Sequence, residues 1–254
     1  MLRRSITNLM LFYPEQGQAR DPSSLGLQFE EVWPEASDGI RTQAWWMPVE
    51  NPSAVALFFH GNAGTMSNRL ELAPLLQRLG LTVFFCEYRG YGASDGKPSE
   101  SGFFADARAA LALARQRTSP DIPIIVVGRS LGGAVAAELG GDPGVAGVVL
   151  ESTFTGLPEM AGRTGIPFAS ALVAYRFASL EKVKRLQIPI LITHGSRDEI
   201  VPFVMGEQLR DAATAAPWVR FQPVVGAAHN DVMVVAGSEY WTAWRAFLEQ
   251  LHRS

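Results

Sequence analysis

Near-continuous apolar runs alternate with helical patterns along this 254-residue chain, and that alternation narrows the fold more than any other feature. The run Ala54-Val55-Ala56-Leu57-Phe58-Phe59 has no polar face. A strand of this kind has to be covered on both sides, as a central strand of a parallel sheet is. Strands are expected at 27–33, 42–47, 54–60, 81–87, 122–128, 145–151, 189–194 and 219–225. The first two contain Glu30, Glu31 and Gln43 and read as half-exposed edges. Helical patterns fill the gaps. Leu70, Ala73, Leu76 and Leu79 form one stripe, with Pro74 demoting or kinking its start. Others cover 105–117, 131–139, 204–215 and 240–251. The expected class is α/β, with a mostly parallel sheet and helices on both faces.

Composition bounds what such a chain does. A chain of this size buries roughly 70–75% of its unfolded surface, so it needs no disulfide or metal staple. Its single cysteine, Cys86, excludes an internal disulfide and a cysteine-rich zinc module. Cys86 lies in an apolar run and is expected to be a packing residue. With 22 Lys and Arg against 25 Asp and Glu, the formal charge is −3, and no basic face for nucleic acid is expected. No stretch approaches the ~18 apolar residues of a membrane span. The apolar part of the N-terminus, 9–13, is too short for a signal-peptide core, and no small-residue cleavage site follows it. The expectation is one domain over 1–254, with an amphipathic lead-in at 1–26 and a short cap at 152–187. Its expected location is the cytoplasm. The sharper alternative for the lead-in is a remnant of a membrane-proximal segment, with peripheral membrane contact.

Chemistry concentrates at Gly128-Arg129-Ser130-Leu131-Gly132-Gly133. This segment follows an apolar strand and opens an alanine-rich helix, the context of a Gly-x-Ser-x-Gly nucleophile elbow. Bulkier residues than Gly128 and Gly132 would clash in so sharp a turn. The turn projects the Ser130 hydroxyl above the sheet, at a helix N-terminus that favours developing negative charge. A serine needs a base, and only four histidines are available. His60 precedes the serine, His252 is nearly terminal, and His194 ends a strand. His229 lies in the loop after the last strand, and the chain order of serine, acid, histidine selects it. Asp198 and Glu151, both at C-terminal strand ends, compete to orient the imidazole, and Asp198 is preferred. Glu199 reads as its solvated neighbour. The oxyanion donors are expected to be the N–H of Leu131 and, from the loop His60-Gly61-Asn62-Ala63-Gly64, the N–H of Asn62. Within the cap, Phe154, Leu157, Met160, Ile166, Phe168, Leu172 and Tyr175 either line an acyl pocket or pack the cap down. Tyr88 and Tyr91 are expected to edge the cleft.

These motifs resemble the α/β-hydrolase family, from about Glu30 to the C-terminus. The resemblance is narrower to small serine hydrolases with a His-Gly-Asn-Ala-Gly loop. Glu87-Tyr88-Arg89-Gly90-Tyr91-Gly92-Ala93-Ser94, the Ser130 segment, Asp198-Glu199-Ile200-Val201-Pro202 and Phe12-Tyr13-Pro14 match that subgroup in order. The resemblance implies an eight-stranded sheet whose second strand is antiparallel, and relatives that include esterases, membrane-anchored depalmitoylating thioesterases and uncharacterised hydrolases. No cofactor and no metal are expected, because no Gly-x-Gly-x-x-Gly follows a strand and the histidines are not spaced as a ligand set. The expected partner is a small-molecule or acylated substrate, and no oligomeric state is implied. The expected function is ester or thioester hydrolysis through Ser130, His229 and Asp198. A serine peptidase on the same fold and a non-catalytic binding protein are the alternatives. Because the base must be neutral, activity is expected to fall on the acid side. The pH profile of kcat/KM checks this, and a full rate at pH 4.5 contradicts it.

Overall fold

The computed structural model of the chain describes residues 2–163 and 169–251. Two compact units divide it, Met1–Val126 and Val127–Ser254.

The first unit opens with helix α1 (Leu2–Leu11) and a two-residue strand β1 (Tyr13–Pro14). Strands β2 (Glu30–Val32), β3 (Ala44–Met47), β4 (Ala54–Phe59), β5 (Ala63–Gly64) and β6 (Leu81–Cys86) follow, with helix α2 (Leu72–Gln77) before β6 and α3 (Glu100–Arg117) after it. β4 runs parallel to β6, residue 54 opposite residue 81. β3 is antiparallel to β6 and to β2, so the second long strand is the reversed one. Every residue of β4 and β6 is buried, as their unbroken apolar character requires. At the edge, Gln43 is buried rather than half-exposed. Its amide donates to Glu31 and its Oε1 accepts from Gln18.

Two helices start where local chemistry, not periodicity, puts them. Pro74 is the third residue of α2. There its missing N–H is one that the first turn leaves unpaired, so the helix tolerates it. α3 begins five residues ahead of its alanine-rich part because Ser99 caps it. The Ser99 hydroxyl oxygen accepts the Gly102 N–H at 3.1 Å, and Glu100 sits in the first turn. The pairing of β1 with β5, Tyr13 beside Ala63, has no periodic signal in so short a run.

The second unit takes over within β7 (Ile124–Arg129). It continues through α4 (Leu131–Leu139), β8 (Val145–Glu151), α5 (Leu157–Gly162), α6 (Ala169–Leu172), α7 (Ser179–Val183), β9 (Ile190–Gly195), α8 (Phe203–Ala212), β10 (Val219–Val224), α9 (Val232–Ala236) and α10 (Ser238–Leu248). β8, β9 and β10 are parallel neighbours. The stretch expected as a cap holds three short helices, α5 to α7. Ile166, Phe168 and His252 lie outside the described residues. Among the described residues no helix is long and apolar enough to cross a membrane.

One buried ion cluster fixes the turn after β6. The Arg89 guanidinium bonds both oxygens of buried Asp106 at 2.7–3.1 Å and both oxygens of half-exposed Asp38. Burial pushes the Asp106 carboxyl up, against the pull of Arg89. Truncating Asp106 leaves the buried Arg89 charge with half-exposed Asp38 as its remaining partner, and breaking a buried pair typically costs about 3–5 kcal/mol. Asp106→Ala is therefore expected to lower Tm by roughly 10 °C, at about 2–4 °C per kcal/mol for a chain of this size. Thermal denaturation checks this, and an unchanged Tm contradicts it.

Candidate active site

The elbow is strained, and its surroundings account for the strain. Ser130 sits at φ 53°, ψ −116° between β7 and α4. Non-glycine residues rarely enter that region, at a cost of roughly 1–3 kcal/mol. Neighbouring backbone holds it there. The Ser130 N–H donates to the Glu151 carbonyl at 2.8 Å, and the Ser130 carbonyl accepts the Gly133 N–H at 3.0 Å. The Thr153 hydroxyl lies 3.3 Å from the Ser130 carbonyl and 3.2 Å from that of Glu151. A Cβ on Gly128 would stand 2.1 Å from the Gly132 carbonyl oxygen, and one on Gly133 would stand 1.7 Å from Thr153 Oγ1. Gly133 and Thr153 are thus part of the elbow, although only the Gly-Gly doublet hinted at the first and nothing hinted at the second. Leu131 opens α4, so its N–H is one of those a helix leaves without an internal partner.

Asp198 and His229 meet directly. His229 Nδ1 donates to Asp198 Oδ2 at 2.8 Å. The other carboxylate oxygen accepts the N–H groups of Ile200 and Val201, at 2.9 and 2.7 Å. The Asp198 side chain is fully buried. Burial disfavours its charge, but the hydrogen bonds from His194 and His229 outweigh this and hold the carboxyl well below the ordinary carboxylate range. His194 works from behind: its Nε2 donates to the Val201 carbonyl at 2.9 Å and lies 3.3 Å from Asp198 Oδ2. Glu199 approaches the His229 backbone N–H at 3.4 Å. With Nδ1 engaged, His229 turns Nε2 to whatever proton it handles.

Glu151, the rival acid, is committed elsewhere. Its Oε1 lies 3.3 Å from Arg129 Nε, and its Oε2 accepts the Tyr240 hydroxyl at 2.7 Å. Burial and then the Glu151 charge push the Tyr240 phenol well above its ordinary value, so it remains a donor. Arg129 in turn donates from Nη2 to the His229 carbonyl at 2.9 Å and to Asn230 Oδ1 at 3.1 Å. The residue preceding the serine therefore holds the histidine loop.

In the first unit, the Asn62 carbonyl accepts the Tyr13 N–H at 3.0 Å and the Tyr91 hydroxyl at 2.8 Å, and its side-chain amide donates to the Leu11 carbonyl at 2.8 Å. His60 is fully buried, with Nδ1 donating to the Gly61 carbonyl at 2.7 Å and Nε2 at 2.5 Å from Glu87 Oε1. Tyr88 and Tyr91 edge no cleft. Both are fully buried. Tyr88 stacks on Phe103 at 4.2 Å and donates its hydroxyl to the His60 carbonyl. Their aromatic rings pack the core, and their hydroxyls brace the loop that carries Asn62. Of the residues expected to line an acyl pocket, Phe154 is buried, Met160 is half-buried and Phe168 lies outside the described residues.

Asp198→Asn gives a stability test with a definite sign. A carboxyl depressed on folding contributes stability above its unfolded value, near 3.8, and loses it as pH falls through the folded value. The Tm gap between the wild type and Asp198→Asn is expected to be full at pH 7 and to narrow below about pH 4. A gap that widens on acidification contradicts the ionised assignment.

The comparisons agree with this architecture. The family described as "Serine aminopeptidase, S33" matches residues 50–181. The "Alpha/beta hydrolase domain-containing protein WAV2" of Arabidopsis thaliana is 35% identical over 250 residues, covering 90% of this chain and 81% of that protein. The uncharacterised protein Rv2307c of Mycobacterium tuberculosis is 36% identical over 246 residues, covering 95% and 86%. Among solved structures, the esterase Pf2001 of Pyrococcus furiosus aligns with a TM-score of 0.80 at 18% identity, over 94% of this chain and 97% of that one. Est1E of Butyrivibrio proteoclasticus, solved with ferulic acid bound, aligns with a TM-score of 0.71 at 20% identity, over 87% and 99%. With the family signature spanning about half of the sequence and full-length relatives above 30% identity, the chain belongs to the α/β-hydrolase superfamily.

Proposed function

We propose that this protein is a serine hydrolase that cleaves carboxylic esters, and acyl thioesters with them, through an acyl-enzyme. The observation that carries the reading is the His229–Asp198 hydrogen bond at 2.8 Å in the same unit as a strained Ser130 elbow. A strained, non-glycine turn persists where the surrounding structure over-determines it, and such positions cluster at reactive sites. The names of two structural neighbours, an esterase and a protein solved with ferulic acid, favour ester chemistry.

In this reading, His229 Nε2 takes the Ser130 proton as Oγ attacks the substrate carbonyl carbon. The carbonyl π pair moves to oxygen, and the N–H of Leu131 is the donor assigned to that oxyanion. Asp198 keeps Nδ1 protonated and stabilises the imidazolium without taking the proton. The tetrahedral intermediate collapses, the ester C–O bond breaks, and His229 protonates the leaving alkoxide. Water then adds to the acyl-enzyme by the same route and releases the acid and free Ser130. A peptidase is the second reading, favoured by the family description and tested on aminoacyl-naphthylamides.

A fluorophosphonate probe is expected to label the protein, and Ser130→Ala to abolish labelling. Hydrolysis of p-nitrophenyl acetate and butyrate is expected to fall by ~10⁴ or more in the same variant. A wild-type protein that neither labels nor hydrolyses these esters overturns the proposal. Cleavage of the naphthylamides in preference to the esters moves the assignment to a peptidase.

A further inference from the structure

We infer that Arg129 is a positioning residue that couples the nucleophile elbow to the histidine loop, with Glu151 and Tyr240 as its anchor. The inference rests on the serine-hydrolase reading and adds parts to that site.

Arg129 is the variable residue of the elbow, next to the serine, and the turn itself asks nothing of its side chain. Yet the side chain is largely buried, as is that of Glu151. Its contacts all lead to one purpose. Nε faces Glu151 Oε1 at 3.3 Å. Nη2 reaches the carbonyl of His229 at 2.9 Å and Asn230 Oδ1 at 3.1 Å. Glu151 is itself held, since its Oε2 accepts the Tyr240 hydroxyl at 2.7 Å. Its backbone carbonyl accepts the Ser130 N–H. One residue thus fixes the serine through its main chain and the arginine through its carboxylate.

The histidine needs such a hold. Asp198 fixes the ring's tautomer and one side of its orientation, but it does not hold the main chain that carries the ring. The bond to the His229 carbonyl holds that main chain. The guanidinium fork suits the task because it donates in two directions from a rigid plane, which a lysine ammonium does not do. Other bonds of the loop, from Ala228 N–H to Asp231, from His229 N–H to Glu199 and from Arg197 N–H to the Ala227 carbonyl, do not reach the serine.

The test compares Arg129→Gln, Arg129→Lys and Tyr240→Phe with the wild type, using fluorophosphonate labelling and p-nitrophenyl butyrate kinetics. Displacements of the order of 1 Å cost up to ~10² in rate. Arg129→Gln is expected to slow labelling and lower kcat by ~10–10², with KM within about twofold. Its labelling should still reach the wild-type endpoint, because the protein remains folded. Arg129→Lys should recover part of the rate, and Tyr240→Phe should lose several-fold. A wild-type labelling rate in Arg129→Gln overturns the inference. So does a loss that follows only the labelled endpoint and Tm, or one that falls on KM alone. If Arg129→Gln fails to fold, Tyr240→Phe decides by the same criteria. A wild type that does not label refutes the hydrolase reading instead, so the two failures are distinct.

Discussion

A close crossing of backbone at Gly128 and Gly132 governs the second unit. With no room for a single methyl between them, β7 can enter α4 only through a turn that forces Ser130 to a positive φ. Besides the Gly133 N–H bond to the Ser130 carbonyl, what keeps this turn in place comes from the end of β8 and the residues just after it. Glu151 receives the serine N–H, Thr153 sits against Gly133, and Ser152 is itself strained at φ 47° as β8 turns away. The strain is local, and the bonds that hold it are local too.

Electrostatics adds a second layer. Two buried acids lie within this unit, Asp198 and Glu151, and their partners give them different work. Asp198 collects two backbone N–H groups and two imidazoles, so its charge is stable and its geometry rigid. Glu151 meets a guanidinium and a phenol. The first arrangement orients a ring, while the second orients an arginine. Both use burial in the same way: each acid is removed from water, which makes its few remaining partners decisive.

Much of this was legible in the residues themselves. The unbroken apolar runs placed β4, β6 and β8 within a residue or so of their ends, because a strand buried on both faces leaves an unmistakable pattern. The elbow was legible because its steric demand selects glycine at fixed offsets. What escaped was of two kinds. Tyr88 and Tyr91 looked like cleft residues, since a tyrosine in a loop after a central strand has no periodic sign of burial; packing against Phe103 decides it. Arg129 and Tyr240 escaped because their meaning lies in partners distant in sequence, and no spacing rule links an elbow arginine to a tyrosine near the C-terminus.

The small pairing of β1 with β5 has a consequence for how the chain is made. The segment around Leu11 to Gln16 leaves a ribosome well before its partners do. The side chain of Asn62 reaches Leu11 across 51 positions, and Gln16 finds the Gly90 carbonyl across 74. During synthesis this leading segment must wait, unpaired, until the first unit is nearly whole. Loop-closure entropy delays such distant contacts relative to local helices. The loop that carries Asn62 therefore sets later than the local helices, and it sets against a segment made 51 positions before it.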